Sequence, residues 1–132
     1  MKRCWPLLLL SLLSVSPIEA AQKQSVFVRG AVDAGGFPDQ DLEESARDIT
    51  RRLTMVNLFA PVKSEKEADL LVVVTSRFED KQERTIVVTV SVKDGADWKP
   101  GTKITEVCKC QWTLTAEKIV FKMAKWEKDR KK

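Results

Sequence analysis

The 132-residue sequence has no histidine and only three cysteines, and these shortages exclude several kinds of site. Histidine is the side chain that most often acts as a base or metal ligand near neutral pH, so the imidazole-based versions of both roles are excluded. Only five glycines occur. The pair Gly35-Gly36 lacks the further glycines and the lysine of a phosphate-binding loop, and it therefore indicates a turn.

The sequence also shows no recognisable combination of catalytic residues. Glu79, Asp80 and Glu83 occur with Lys81 and Arg84 in a predicted hairpin connection, where mixed charge is typical of a solvated turn. No nucleophile with a neighbouring base can be identified. We therefore expect a protein that is not an enzyme and that needs no cofactor.

No apolar run is long enough to span a membrane. The run from Trp5 to Val15 is about half of the roughly 20 residues that a spanning helix needs. Lys2 and Arg3 precede it and Ile18-Glu19-Ala20 follows it, an order of basic, apolar and small residues that is typical of a secretory signal peptide. We predict that residues 1–20 are removed on export to the periplasm or the extracellular space.

Neither sign of charge is in large excess. The 23 basic and 19 acidic residues give a net charge of +4, which suits a soluble protein and indicates no specific nucleic-acid partner. Residues 21–132 have the commonest size of a single domain, so we expect one core and no transmembrane segment in the mature chain.

Hydrophobic periodicity predicts two amphipathic helices and four or five strands. The predicted strands cover residues 25–33, 59–62, 68–75, 84–93 and 103–113, and the predicted helices begin after residue 39 and at residue 115. Asp39 is the predicted N-cap of the first helix. The order β-α-β-β-β-β-α predicts an α+β fold, a two-layer sandwich in which both helices cover one face of a mixed sheet.

Alternation within residues 84–93 predicts that the other face of the sheet meets water. Val87 belongs to that face, while its neighbours Ile86 and Val88 point to the helices. Pairing register is not readable from sequence, so the open face takes either Leu71 and Val73 or their neighbours in the same strand. An apolar patch there is typical of a contact with a partner protein or with a second copy. The candidate contact residues are Val73, Val87, Val107 and Trp98, the last in a polar loop.

Cys108 and Cys110 are the cysteines that remain after export. Side chains two apart in a straight strand run parallel at about 6.6 Å, so a direct disulfide needs a bulge or bend. Alternation with Ile104 and Trp112 favours packing of both sulfurs under the helices. The alternatives are a strained or intermolecular disulfide, and a metal or redox site with Glu106 as a further ligand.

Basic residues are concentrated at the C-terminus. The candidate polyanion contacts are Lys125, Lys128, Arg130, Lys131 and Lys132. Cations at the end of a helix also interact favourably with its dipole, which explains them without any ligand.

Several segments together resemble a known group of envelope domains. They are Val26-Phe27-Val28, Ile49-Thr50-Arg51-Arg52-Leu53, Phe59-Ala60-Pro61-Val62, residues 68–74, residues 86–95 and the closing helix. In order and local composition they resemble the amino-terminal domain of TolB and the small domains of CsgG and LpoB lipoproteins. TolB-like proteins continue into a β-propeller and the lipoproteins carry a lipid-modified cysteine, and we expect neither feature here. The resemblance implies a periplasmic, non-catalytic module that binds an envelope protein.

Overall fold

The computed structural model describes residues 23–131, so the predicted signal peptide lies outside the described residues. The elements are β1 Gln24–Gly30, α1 Gln40–Leu53, β2 Phe59–Pro61, β3 Leu70–Asp80, β4 Glu83–Asp94, β5 Asp97–Trp98, β6 Thr102–Cys108 and α2 Trp112–Arg130. The predicted α+β fold is confirmed, and the additional strand is the two-residue β5. In this part of the chain neither helix is long and apolar enough to cross a membrane.

The strands form one mixed sheet with β3 in its interior. The order is β2-β1-β3-β4, and β5 and β6 both pair with β4. β1 is parallel to β2 and to β3, whereas β4 is antiparallel to its neighbours. The nearly continuous apolar run of β3 fits this position, because side chains of β1 and β4 flank those of β3 on each face of the sheet.

Helix α1 begins at the predicted cap. The Asp39 carboxylate accepts hydrogen bonds from the backbone N–H groups of Asp41 and Leu42, at 2.9 and 3.2 Å. These bonds satisfy N–H groups that have no partner within the helix. Its apolar stripe then buries Ala46, Ile49 and Leu53 against the sheet.

A single core lies between the helices and one face of the sheet. The buried strand residues are Val26, Val28, Leu70, Val72, Val74, Ile86, Val88, Val90 and Ile104. Helix α2 contributes Ala116, Ile119, Val120 and Met123. Since both helices occupy this face, neither covers the opposite face, which carries Leu71, Val73 and Val87. Leu71 and Val87 are nevertheless buried, with 6% and 9% exposure, so the prediction that this face meets water is correct for only part of it.

Strand β3 continues five residues beyond its predicted end. The pairing register shifts between Val74 and Ser76, a β-bulge at Thr75 whose hydroxyl donates to the carbonyl of Val87 at 3.2 Å. The bulge adds one residue and so exchanges the two faces. Beyond it Arg77 lies on the helix side, and Phe78 lies on the open face opposite Thr85.

The prediction of a strand through residue 113 is wrong. Strand β6 ends at Cys108, the chain bends at Lys109 and Cys110, and Trp112 is the first residue of α2. The Arg84 guanidinium donates to the carbonyl of Cys110 at 2.9 Å and holds the bend. Strand periodicity carried through Trp112 therefore placed this residue in the wrong element.

Gly30 allows β1 to approach the start of α1. A Cβ at this position would lie 2.8 Å from the Cβ of Leu42 and 3.0 Å from the backbone nitrogen of Glu43. We expect Gly30→Ala to lower the free energy of unfolding by about 1–3 kcal/mol, because the helix must move outward. Urea denaturation measures this, with Gly95→Asn as the control. A Cβ at Gly95 meets nothing within 4 Å, and Asn is among the residues that best tolerate its φ of 65°, so a loss as large as that of Gly30→Ala would contradict the packing argument.

Candidate functional site

The open face of the sheet brings together the three valines predicted for it. Val73 lies opposite Thr89, Val87 pairs with Thr105, and Val107 pairs with Thr85. All three side chains therefore lie on the side away from both helices. We call this surface, with Phe78, the open-face patch.

Exposure within the open-face patch increases toward one end. Val87 is 9% exposed and Val73 is partly buried, whereas Val107 is 48% exposed. Phe78 is 53% exposed, and it flanks Thr85 from the β3 side as Val107 does from the β6 side. Two large apolar side chains are thus presented to solvent around a nearly buried threonine.

Phe78 was missed by the sequence reasoning. The predicted strand stopped at Thr75, and simple alternation beyond it would put residue 78 on the helix side. The bulge at Thr75 reverses that assignment. The β-branched and aromatic composition of residues 71–78 is the signal that could have extended the strand.

The outer edges of the sheet offer little backbone for pairing. At the β6 edge, the Lys122 ammonium donates to the carbonyl of Thr105 at 2.7 Å and forms an ion pair with Glu106 at 2.8 Å. At the other edge, β2 has three residues and includes Pro61. Charged side chains, short strands and proline at an edge all hinder the addition of another strand.

Trp98 lies far along the sheet from Phe78 and Val107. It belongs to β5 and pairs with Lys93, eight residues along β4 from Thr85, which corresponds to about 26 Å. Trp98 is partly buried, and the Lys93 ammonium lies 5.8 Å from its ring centroid. The structure therefore separates Trp98 from the three candidate valines.

The basic C-terminal residues are partly neutralised. The buried Glu127 forms ion pairs with both Arg130 and Lys131, and the distance to the Lys131 ammonium is 2.9 Å. Lys125 and Lys128 are exposed, and Lys132 lies outside the described residues. Arg130 also lies over the ring of Trp126, at 5.1 Å. These contacts leave a weaker positive surface than the sequence indicates.

Cys108 and Cys110 form a disulfide with each other, so the prediction that they pack as free thiols is wrong. The bend after β6 brings their Cα atoms to 5.1 Å, within the range for a disulfide, whereas the prediction assumed a straight strand. Both residues are partly buried rather than in the core. Among residues 23–131, no group of three His, Cys, Asp or Glu residues is placed to hold a metal ion.

No family model matches the chain, and no curated protein matches it. Solved structures with some similarity include a PelC dodecamer from Paraburkholderia phytofirmans, with 12% sequence identity and a TM-score of 0.47. A variant of that dodecamer in another crystal form has 11% identity and a TM-score of 0.48. Each covers 77% of this chain and 86% of its own. Similarity of this extent identifies neither a partner nor an oligomeric state for this chain.

Proposed function

We propose that this protein is an exported, non-enzymatic interaction module of the cell envelope that binds a partner protein through the open-face patch. The observation that carries the proposal is the pair Phe78 and Val107, exposed by 53% and 48% on either side of Thr85. Exposed apolar side chains grouped in this way are typical of contact surfaces. The exposed aromatic ring of Phe78 suits the role of a binding hot spot.

The sheet face suits this role better than a sheet edge. Lys122 occupies the β6 edge at the carbonyl of Thr105, and β2 is short and contains Pro61. By contrast, the side chains of the open-face patch stand on strands whose backbones are fixed, because β4 pairs with β3 on one side and with β6 on the other. Binding to a preordered surface loses less conformational entropy than binding to a mobile one.

Two observations support export to the envelope. Residues 2–20 have the composition of a secretory signal peptide. The disulfide between Cys108 and Cys110 fits an oxidising compartment, because such bonds rarely persist in the cytosol. The resemblance to TolB-type domains agrees with this location and stays a prediction.

The experiment replaces both exposed apolar residues, as Phe78→Lys with Val107→Lys. We expect the affinity for the partner to fall by about thirtyfold or more, because a hot-spot loss of 2 kcal/mol or more has that effect. Pull-down from envelope extract measures binding to another protein, and sedimentation velocity measures self-association. Val73 and Val87 are less suitable for the test because they are buried more deeply.

Phe121→Lys is the matched control. Phe121 is 57% exposed, close to the value for Phe78, but it belongs to helix α2 on the other layer. If the open-face patch is the contact surface, the Phe121→Lys variant should bind its partner as strongly as the wild type does. A folded double variant that associates as strongly as the wild type would contradict the proposal.

A further inference from the structure

The Cys108–Cys110 disulfide adds little to the stability of the domain. It joins residues two apart, and closing so short a loop contributes only about 1.5 kcal/mol through chain entropy. Neither cysteine belongs to the hydrophobic core cluster. Cys108 ends β6 and Cys110 lies in the bend that follows directly, so the bond ties no distant element to the sheet. Its position therefore calls for a reason other than stabilisation.

The sulfur of Cys110 lies beside the first turn of α2. Cys110 comes two residues before Trp112, where the 19-residue helix begins. Its Sγ is 3.4 Å from the hydroxyl oxygen of Thr115, a buried residue in that turn. The Thr115 hydroxyl donates to the carbonyl of Gln111 at 3.1 Å, so it must exchange this partner to donate to a thiolate of Cys110. A helix N-terminus stabilises a thiolate, and so does a hydrogen bond to it. If the disulfide opens, Cys110 is the cysteine better placed to carry negative charge.

Solvent reaches Cys110 through an open cavity of about 370 Å³. The cavity is lined by Glu79, Gln82, Arg84, Lys109, Cys110 and Gln111. Arg84 pairs with Glu79 at 2.7 Å, while Lys109 has no ion pair among residues 23–131. The exposed Lys109 ammonium, which lines this cavity, favours the approach of an anionic nucleophile. Cys108 does not line the cavity.

We propose that Cys108 and Cys110 form a reactive disulfide that accepts electrons from a protein dithiol. A thiolate of the dithiol attacks the Sγ of Cys110 from the cavity. The Cys108–Cys110 bond breaks, and its electron pair leaves with Cys108 as a thiolate. The partner is then joined to Cys110 through a mixed disulfide. This activity is independent of the open-face patch.

A second exchange completes the reaction. The other thiolate of the partner attacks the partner's own sulfur in the mixed disulfide, and Cys110 leaves as a thiolate stabilised by α2 and Thr115. The partner gives up two electrons and becomes a disulfide. Cys108 and Cys110 take up those electrons and, with two protons, become thiols. No metal or other cofactor takes part in this balance.

The first test compares single-cysteine forms of the full chain, with Cys4→Ser in each. Cys108→Ser keeps Cys110 and Cys110→Ser keeps Cys108, and each is treated with oxidised glutathione under native conditions. We expect Cys110 to form the mixed disulfide about three to ten times faster, measured by mass spectrometry, because more of it is thiolate. Equal rates, or a faster reaction at Cys108, would overturn the proposed roles.

A second test separates the contribution of the Thr115 hydroxyl to the reactivity of Cys110 from that of the N-terminus of α2. Added to the form that keeps Cys110, Thr115→Val should slow the reaction severalfold, whereas Thr115→Ser should leave it near its original rate. Circular dichroism checks that both variants fold. In the chain with both cysteines, dithiothreitol should reduce the disulfide at the same rate with and without urea. Reduction that requires urea would show an inert structural bond and would overturn the proposal.

Discussion

Replacing Trp112 by alanine is expected to lower the free energy of unfolding by about 3 kcal/mol, because packing and two cation–π contacts are lost together. The guanidinium carbons of Arg77 and Arg84 lie 4.1 and 5.7 Å from the centroid of the Trp112 ring. The side chain of Arg77 is only 10% exposed. Partial desolvation of this kind strengthens a cation–π contact. Urea denaturation followed by circular dichroism measures the loss.

Arg77 links three elements, so a double-mutant cycle tests whether it acts through the Trp112 ring. Arg77 donates to the carbonyl of Asp41 at 2.9 Å, at the start of α1, besides stacking on Trp112. We expect Arg77→Ala and Trp112→Ala to be coupled by about 1–2 kcal/mol. Arg77→Lys keeps the charge but loses the planar stacking group, so it should recover only part of the loss. Strictly additive effects would contradict the stacked arrangement.

The larger features of the fold follow from side-chain periodicity. Period-two alternation in β4 and three- and four-residue spacing in α1 each define one apolar side, and a single core accommodates both. The apolar composition of residues 70–74 is sufficient to place β3 inside the sheet. These predictions succeed because burial of an apolar side is a property of each segment and requires no knowledge of its neighbours.

Features that depend on one inserted residue or one bend were not predictable in the same way. The bulge at Thr75 changes the face of every later residue in β3, and nothing in the local composition marks the inserted residue. The bend at Lys109 ends β6 while alternation formally continues to Trp112. Both are held by contacts from β4, those of Val87 and Arg84, which are distant in sequence.

The candidate site also combines features that periodicity predicts with features that it does not. Alternation alone places Val87 and Val107 on the open face, because neither strand has a bulge between the core positions and these residues. How far each valine is exposed depends on the neighbouring strands, and Phe78 enters the patch only through the bulge. The disulfide likewise depends on backbone geometry after β6 that spacing between cysteines does not contain.

A second large loss of stability is expected from a substitution in helix α2, because the buried side of this helix closes the core over β4 and β6. Ile119 is fully buried and lies among core residues of the sheet. We expect Ile119→Ala to lower the free energy of unfolding by about 2–5 kcal/mol, through lost apolar transfer and the cavity that remains. Thermal and urea denaturation measure this loss.

Phe121→Ala is the control in the same helix, two residues away, and we expect it to change the free energy of unfolding by about 0.5 kcal/mol or less. Phe121 is 57% exposed, so its removal leaves no cavity. Similar losses for both variants would mean that both sides of α2 are covered, contrary to a two-layer sandwich. The contrast also bears on binding. Phe78 and Val107 are exposed to a similar extent as Phe121, so we expect them to contribute equally little to stability and to remain available for a partner.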